Sequence, residues 1–141
     1  MPGFLLDTNV VSELIKPTPN GRVATWVDAT DESLLYLSVL TIGEIRNGIA
    51  RLARGARRAR LEAWLETDLR PRFLGRIVDV DLAVADRWGV LTARAALAKQ
   101  RVPAIDGLLA ATAVQYNLTL ATRNADDFEH TGASVFNPWR D

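Results

Sequence analysis

Cysteine is absent from the 141-residue chain, and histidine occurs once, at position 130. Without cysteine there is no disulfide, no thiolate nucleophile and no zinc site built on sulfur, and the redox state of the compartment stays open. Net charge is missing as well. Seventeen basic residues balance seventeen acids, so no global field draws in nucleic acid, and any such attraction must come from local clustering. No apolar run reaches the roughly 18–20 residues that span a bilayer. The opening stretch, Met1 to Leu6, is too short for a signal peptide and lacks its basic flank. A cytoplasmic protein without membrane contact is expected. No Gly-rich phosphate loop follows Leu6, which disfavours a P-loop or dinucleotide-binding protein.

What is present is ordinary globular composition, 48% apolar and 24% charged. The length suits one domain, residues 1–141, with a substantial core. Short apolar runs at Phe4–Leu6, Leu34–Ser38, Ile77–Val80, Leu118–Ala121 and Ser134–Phe136 read as strands. Helices are expected over Val10–Ile15, Arg22–Asp28, Thr41–Arg54, Arg57–Leu69, Leu82–Lys99 and Asp106–Tyr116. In the third of these, Ile42, Ile45, Ile49 and Leu52 make one stripe. Pro71 is expected to lie beyond the fourth. The last is apolar nearly all round and should pack at the centre of the fold. Strands alternating with helices predict an α/β protein, with a mainly parallel sheet of about five strands and helices on both faces.

Ligands of such sheets bind beyond the carboxyl ends of the strands. Asp7 follows the first strand. Glu44 falls in the first turn of the helix after the second. Asp106 opens the apolar helix, and Asp126 and Asp127 follow the fourth strand, with Asn124 just before them. Carboxylates converging on one crevice repel each other unless a cation neutralises them. Oxygen donors without cysteine suit Mg²⁺, or Mn²⁺, rather than zinc. Such ions activate water and stabilise in-line displacement at phosphorus, which makes phosphodiester hydrolysis the matching chemistry.

Each acid also fits a plainer role. Asp7, with Thr8 and Asn9, is a good helix cap. Thr41 to Glu44 fits a capping box. Asp106 fits an N-cap, and Asp126 with Asp127 fits a turn. The metal reading draws its weight from all four places falling at one sheet edge.

These residues also carry a family resemblance. Phe4-Leu5-Leu6-Asp7-Thr8-Asn9-Val10-Val11-Ser12-Glu13-Leu14 resembles the opening of PIN-domain proteins, especially VapC-type toxins of the FitB-like subgroup. Ser38-Val39-Leu40-Thr41-Ile42-Gly43-Glu44-Ile45 resembles the second family motif, and Pro103-Ala104-Ile105-Asp106-Gly107-Leu108-Leu109-Ala110-Ala111-Thr112-Ala113 the third. Leu120-Ala121-Thr122-Arg123-Asn124-Ala125-Asp126-Asp127-Phe128 resembles the fourth, followed by Phe136-Asn137-Pro138-Trp139. The resemblance covers essentially the whole chain. It implies a PIN-like three-layer α/β/α sandwich and a Mg²⁺-dependent endoribonuclease toxin. It also implies a VapB-like antitoxin, a homodimer, and a larger assembly with the antitoxin. Asp7, Glu44 and Asp106 match the family acids directly. The fourth position is shared between Asp127, which is preferred here, Asp126 and Asn124. Thr8 and Thr122 stand beside the acids as candidates to bind a ligand carboxylate, or as cap and turn residues.

Between Glu44 and Arg76 stand nine arginines against four acids, with Arg51, Arg54, Arg57, Arg58 and Arg60 crowded together. RNA phosphates bind such clusters by counterion release. A solvated helical hairpin and a partner contact are the other readings. Trp26, Trp64 and Trp88 lie on apolar stripes and are expected in the core. Trp139 is open, and His130 reads as incidental. Two other functions compete. A structure-specific DNA nuclease would need an arch or threading insertion, which is missing. An inactive PIN-like docking module would not need four filled acidic positions.

Overall fold

A computed structural model describes residues 3–141; Met1 and Pro2, where the stretch judged too short for a signal peptide begins, lie outside the described residues. The strands are β1 (Gly3–Leu6), β2 (Leu35–Ser38), β3 (Ile77–Val78), β4 (Leu118–Ala121) and β5 (Val135–Phe136). They form one parallel sheet in the order β3-β2-β1-β4-β5. Leu6 lies opposite Ala121, Ala121 opposite Phe136, and Ser38 opposite Val78. The carboxyl ends of all five strands therefore share one edge.

Period-two alternation sorts the strand residues between two cores. Leu6, Leu35, Leu37 and Ala121 face one layer, where they meet Val10, Val11, Val23, Val27, Ile45, Ile49, Leu65, Leu69 and Phe73. Leu5 and Leu120 face the other, with Leu91, Leu109, Ala110, Ala113 and Phe128. The first layer is built by α1 (Thr8–Leu14), α2 (Gly21–Ala29), α3 (Val39–Ala50), α4 (Ala56–Trp64) and its continuation to Phe73. The second is built by α6 (Leu82–Leu97) and α7 (Ala104–Gln115). This is the expected three-layer sandwich. Each fully buried leucine contributes roughly 1.5–3 kcal/mol by leaving water. The apolar helix is central as expected: α7 buries Gly107 and the whole run Leu109–Ala113. It lies so close to α6 that a Cβ at Gly107 would stand 3.1 Å from the Trp88 ring.

The structure corrects several local expectations. α3 begins at Val39 and not at Thr41, because Ser38 caps it, its Oγ accepting from Leu40 N at 3.0 Å. The Thr41–Glu44 capping box is therefore not formed. Thr41 Oγ1 is buried without a partner, and Glu44 lies in the second turn, not the first. Asp106 does not cap α7. Pro103 holds that place, and Asp106 is the third helical residue. Pro71 does not lie outside its helix either. α4 runs on through a π turn at Leu65–Leu69 into α5 (Arg70–Arg72), where Arg70 N donates to Leu65 O, five residues back. Proline has no N–H, and its ring clashes with the carbonyl four residues back in a regular α-helix; the wider turn just before Pro71 accompanies that misfit. The third strand keeps only two of its four expected residues, and Asp126 and Asp127 sit in a short 3-10 turn, Ala125–Phe128, rather than an open loop.

Candidate active site

Four acids meet the carboxyl edge of the sheet from four directions. Asp7 follows β1 directly and caps α1. Its backbone N donates to Ala121 O at 2.9 Å, tying it to the end of β4. Its side chain is buried and fully engaged. Oδ1 accepts from Thr8 N at 2.7 Å, and Oδ2 accepts from Thr122 Oγ1 at 2.8 Å and from Asn9 Nδ2 at 3.4 Å. Glu44 reaches the same place from α3. It is exposed, yet Thr8 Oγ1 donates to its Oε1 at 2.7 Å. Thr8 thus bridges two acids, through its backbone N–H to one and its hydroxyl to the other. The cap reading and the ligand reading of Asp7 are compatible: the capping contact is what holds the carboxylate still.

Asp106 enters on the first turn of α7. That helix leads into the start of β4, so its N-terminal end lies at the carboxyl edge of the sheet. Asp127 enters on the 3-10 turn that follows β4. Two of the four feel the charge of their neighbours. Asp7 holds its proton to higher pH than an ordinary aspartate, first because burial penalises its charge and further because Glu44 is near; hydrogen bonds from Thr122, Thr8 and Asn9 oppose this in part. Asp106 is shifted upward as well, first by burial and then by the charges of Asp7, Asp127 and Glu44. Of the two loop aspartates, Asp127 acts on Asp106, whereas Asp126 is not among the charges that shift it.

As the side chains stand, no three acids or histidines among the described residues converge closely enough to hold one ion between them. The donor set still fits a hard divalent cation in kind: carboxylate oxygens alone, their charges accumulated against mutual repulsion. A cation is the charge that would relieve the burden on Asp7 and Asp106.

Asn9 is the residue that sequence reasoning placed only as a possible cap. Besides Asp7, its Nδ2 donates to Thr122 Oγ1 at 3.3 Å, and its Oδ1 accepts from Arg123 N at 3.2 Å. It fastens the ends of β1 and β4 together under the acids. Its signal in the sequence was adjacency to Asp7, which says nothing of a partner at position 122. Thr122 is fully buried, and its hydroxyl also accepts from Asn124 N at 3.0 Å. Asn124 therefore contributes a backbone group to this network, while its side chain caps nothing. Glu13 is a fifth acid on α1 that does not join the others. It is buried and bonded to Lys16 Nζ and Asn20 N, both at 2.9 Å, inside the turn before α2.

The arginine cluster divides. Arg58 is turned inward, to Glu62 at 3.2 Å and to the carbonyl of Leu52. Arg46 and Arg70 share Glu66, and Arg72 and Arg76 share Glu32. Arg51 and Arg54 sit at and beyond the end of α3, and both are exposed. Arg57 lines a groove of about 300 Å³ between α1, α3 and α4 that also takes in Thr8 and Glu44. Trp64 lines that groove and packs against the first core, and Trp26 stacks edge-on to Phe4 at 4.9 Å. Trp88 is half-buried between α6 and α7. Trp139 is half-buried too, with the Arg123 guanidinium 5.3 Å above its ring.

The family profile described as the PIN domain matches residues 4–133. Toxin FitB of Neisseria gonorrhoeae is 42% identical over 138 residues, spanning 98% of this chain and 99% of its own length. VapC ribonuclease Y4jK of Sinorhizobium fredii is 38% identical over 136 residues, 96% of this chain and 97% of its own. The crystal structure of FitAcB from Neisseria gonorrhoeae superposes with a TM-score of 0.93 at 40% identity, covering 98% of this chain and 99% of that one.

Proposed function

Because the chain belongs to the PIN-domain family, in the company of VapC and FitB proteins, we propose that it is a metal-dependent endoribonuclease and the toxin of a toxin–antitoxin pair. The observation that carries the reading is the gathering of acids at the sheet edge: Thr8 joins Asp7 to Glu44, and Asp106, shifted upward first by burial, also feels the charges of Asp7, Asp127 and Glu44. Asp7, Glu44, Asp106 and Asp127 would hold Mg²⁺ or Mn²⁺. When bound, the ion supplies the positive charge that makes attacking water more acidic and stabilises the transition state at phosphorus.

The chain's own residues divide the work. Asp7 is held in one orientation by three donors, and Glu44 is tethered to it through Thr8, so these two acids form the preorganised half of the site. Preorganisation matters because a misplaced ligand loses much of its effect. Asp106 and Asp127 form the other half. The Asp106 carboxylate is half-buried and accepts no hydrogen bond among the described residues, which leaves its oxygens free to take up a proton or a cation. Thr122 and Asn9 do no chemistry; they fix the Asp7 carboxylate.

A chain that cuts RNA inside the cell that makes it requires restraint. A VapB-like antitoxin is the proposed partner, with a homodimer of this chain as the unit it holds. The toxin name of the Neisseria relative and the ribonuclease name of the Sinorhizobium relative support the two halves of this reading.

The decisive experiment incubates purified wild-type protein and the Asp7→Asn variant with structured RNA, in Mg²⁺ or in EDTA. Cleavage by the wild type in Mg²⁺ alone, lost in the variant, is the expected result. Equal cleavage by both proteins overturns the assignment, and RNA binding without cleavage under several metals favours a docking module.

A further inference from the structure

One sizeable cavity lies away from the acids' own crevice. It is a groove of about 630 Å³ between the outer flank of α6, the end of α7 and the turn at 129–133. Its cationic wall is Arg87 and Arg94, and His130 lies on the turn that faces them. Neither arginine has an acidic partner among the described residues: Arg87 is steadied only by neutral Gln115, its Nε donating to Oε1 at 3.0 Å, and Arg94 has no acceptor. The contrast with the sequence-level expectation is direct, because five of the arginines between Glu44 and Arg76 are already paired with carboxylates. Asp86 is the single acid lining the groove, and it forms a salt bridge with neither arginine.

The opposite wall is fixed. Thr131 Oγ1 donates to Phe128 O at 2.6 Å and accepts from Ala133 N, and Gly132, with φ of +81°, takes the left-handed conformation that completes the turn. This wall follows the proposed site along the chain, His130 coming three residues after Asp127. α6 and α7 run antiparallel, so the Arg94 half of the groove lies toward the Asp106 end of α7 and the Gln115 half lies toward the opposite sheet edge. Along the helix, Arg87 and Arg94 are separated by roughly 10 Å, far enough to meet different phosphates.

We propose that this groove binds the phosphate backbone of the RNA strand on one side of the cleavage point, with Arg87 and Arg94 as the phosphate ligands. The inference rests on the ribonuclease reading and supplies it with a substrate path. Guanidinium groups suit this use because they offer forked donors and stay charged. The path contributes affinity and not chemistry, since a chain of phosphates held along the groove does not touch the acids.

The test measures binding of a fluorescein-labelled single-stranded RNA of mixed sequence in Mg²⁺ across a salt series. An Asp7→Asn background prevents cleavage. Adding Arg87→Gln and Arg94→Gln should weaken binding at least tenfold at low salt. Two lost phosphate contacts should also flatten the slope of log affinity against log salt by about 1.4. Arg87→Lys with Arg94→Lys should keep most of the slope, which separates lost charge from lost fold. In the cleavage-competent protein, with Asp7 intact, the Gln pair should raise KM for RNA and leave kcat within about twofold, as uniform binding predicts. An unchanged slope and KM, with wild type cleaving normally, overturns the groove and leaves the ribonuclease reading intact. Slope and affinity that depend on the arginines, in a protein that never cleaves, leave the groove standing and sink the ribonuclease reading. An unchanged slope with a changed oligomeric mass makes the face an interface between copies and also overturns the proposal.

Discussion

Thr8 is the residue on which the site's geometry turns, since one side chain and its own backbone N–H address two carboxylates. Thr8→Val keeps the shape and the backbone bond but frees Glu44. Outer contacts of this kind typically matter by about 10–100-fold in metal affinity or activity. Cleavage in Mg²⁺ is expected to fall within that range, to recover in Thr8→Ser, and to leave the melting temperature nearly unchanged because the lost bond is exposed. Asp7 yields a second prediction, on stability. Its pKa is raised in the folded chain, so between the unfolded and folded values the native state binds the extra proton, and stability falls as pH rises through that window. The penalty is absent below the unfolded value, about 4, and complete above the folded one. Melting in EDTA across pH should therefore show the Asp7→Asn variant gaining on wild type as pH increases from about 4 toward neutrality. A difference that stays flat with pH would contradict the burdened carboxylate. Asp7 was readable from the sequence as an edge acid with Thr8 and Asn9 beside it, but its donor Thr122 was not, because that residue lies 115 positions away.

Among the elements, α7 was the most legible and α3 the least. A helix apolar on every side has only one place to go, and α7 occupies it. Its crossing with α6 depends on Gly107, where a side chain would meet the Trp88 ring. Gly107→Val should overpack that contact and cost about 1–3 kcal/mol, read as a lowered midpoint in urea. α3 misled because two cap signals overlap: Ser38 and Thr41 both suit the start of a helix, and the strand register decides between them. Ser38 stands opposite Val78 at the end of β2, so the chain leaves the sheet there and the helix begins at once. The π turn before Pro71 was unreadable for a similar reason. Proline forbids a regular turn, and whether the helix stops or widens depends on whether Leu65, Leu69 and Phe73 have a core to fill.

For the whole molecule, zero net charge coexists with strong local separation, acids at one sheet edge and unpaired arginines in the groove beside α6. Filling the acidic edge with a cation should stabilise the entire fold, because an ion that binds only the native state shifts the equilibrium by RT ln(1 + [L]/Kd), about 2.7 kcal/mol at a hundredfold excess over Kd. Thermal melting with increasing Mn²⁺ or Mg²⁺ should show a rising midpoint in wild type and little rise in Asp7→Asn. An equal rise in both proteins would place the ion elsewhere.

The sequence by itself determined the alternation of short strands and helices, the parallel sheet, the two-sided core and the edge on which Asp7, Glu44, Asp106 and Asp127 gather. Those follow from hydrophobic period and chain order, which are local quantities. Only the tertiary structure decided which of the arginines are free, that Thr8 joins Asp7 to Glu44, that Asp127 and not Asp126 acts on Asp106, and that Asn9 fastens β1 to β4. Most of these pair residues far apart in the chain. Hydrogen bonds and charge act over a few ångströms of space, and that proximity is created by packing the helices onto the sheet.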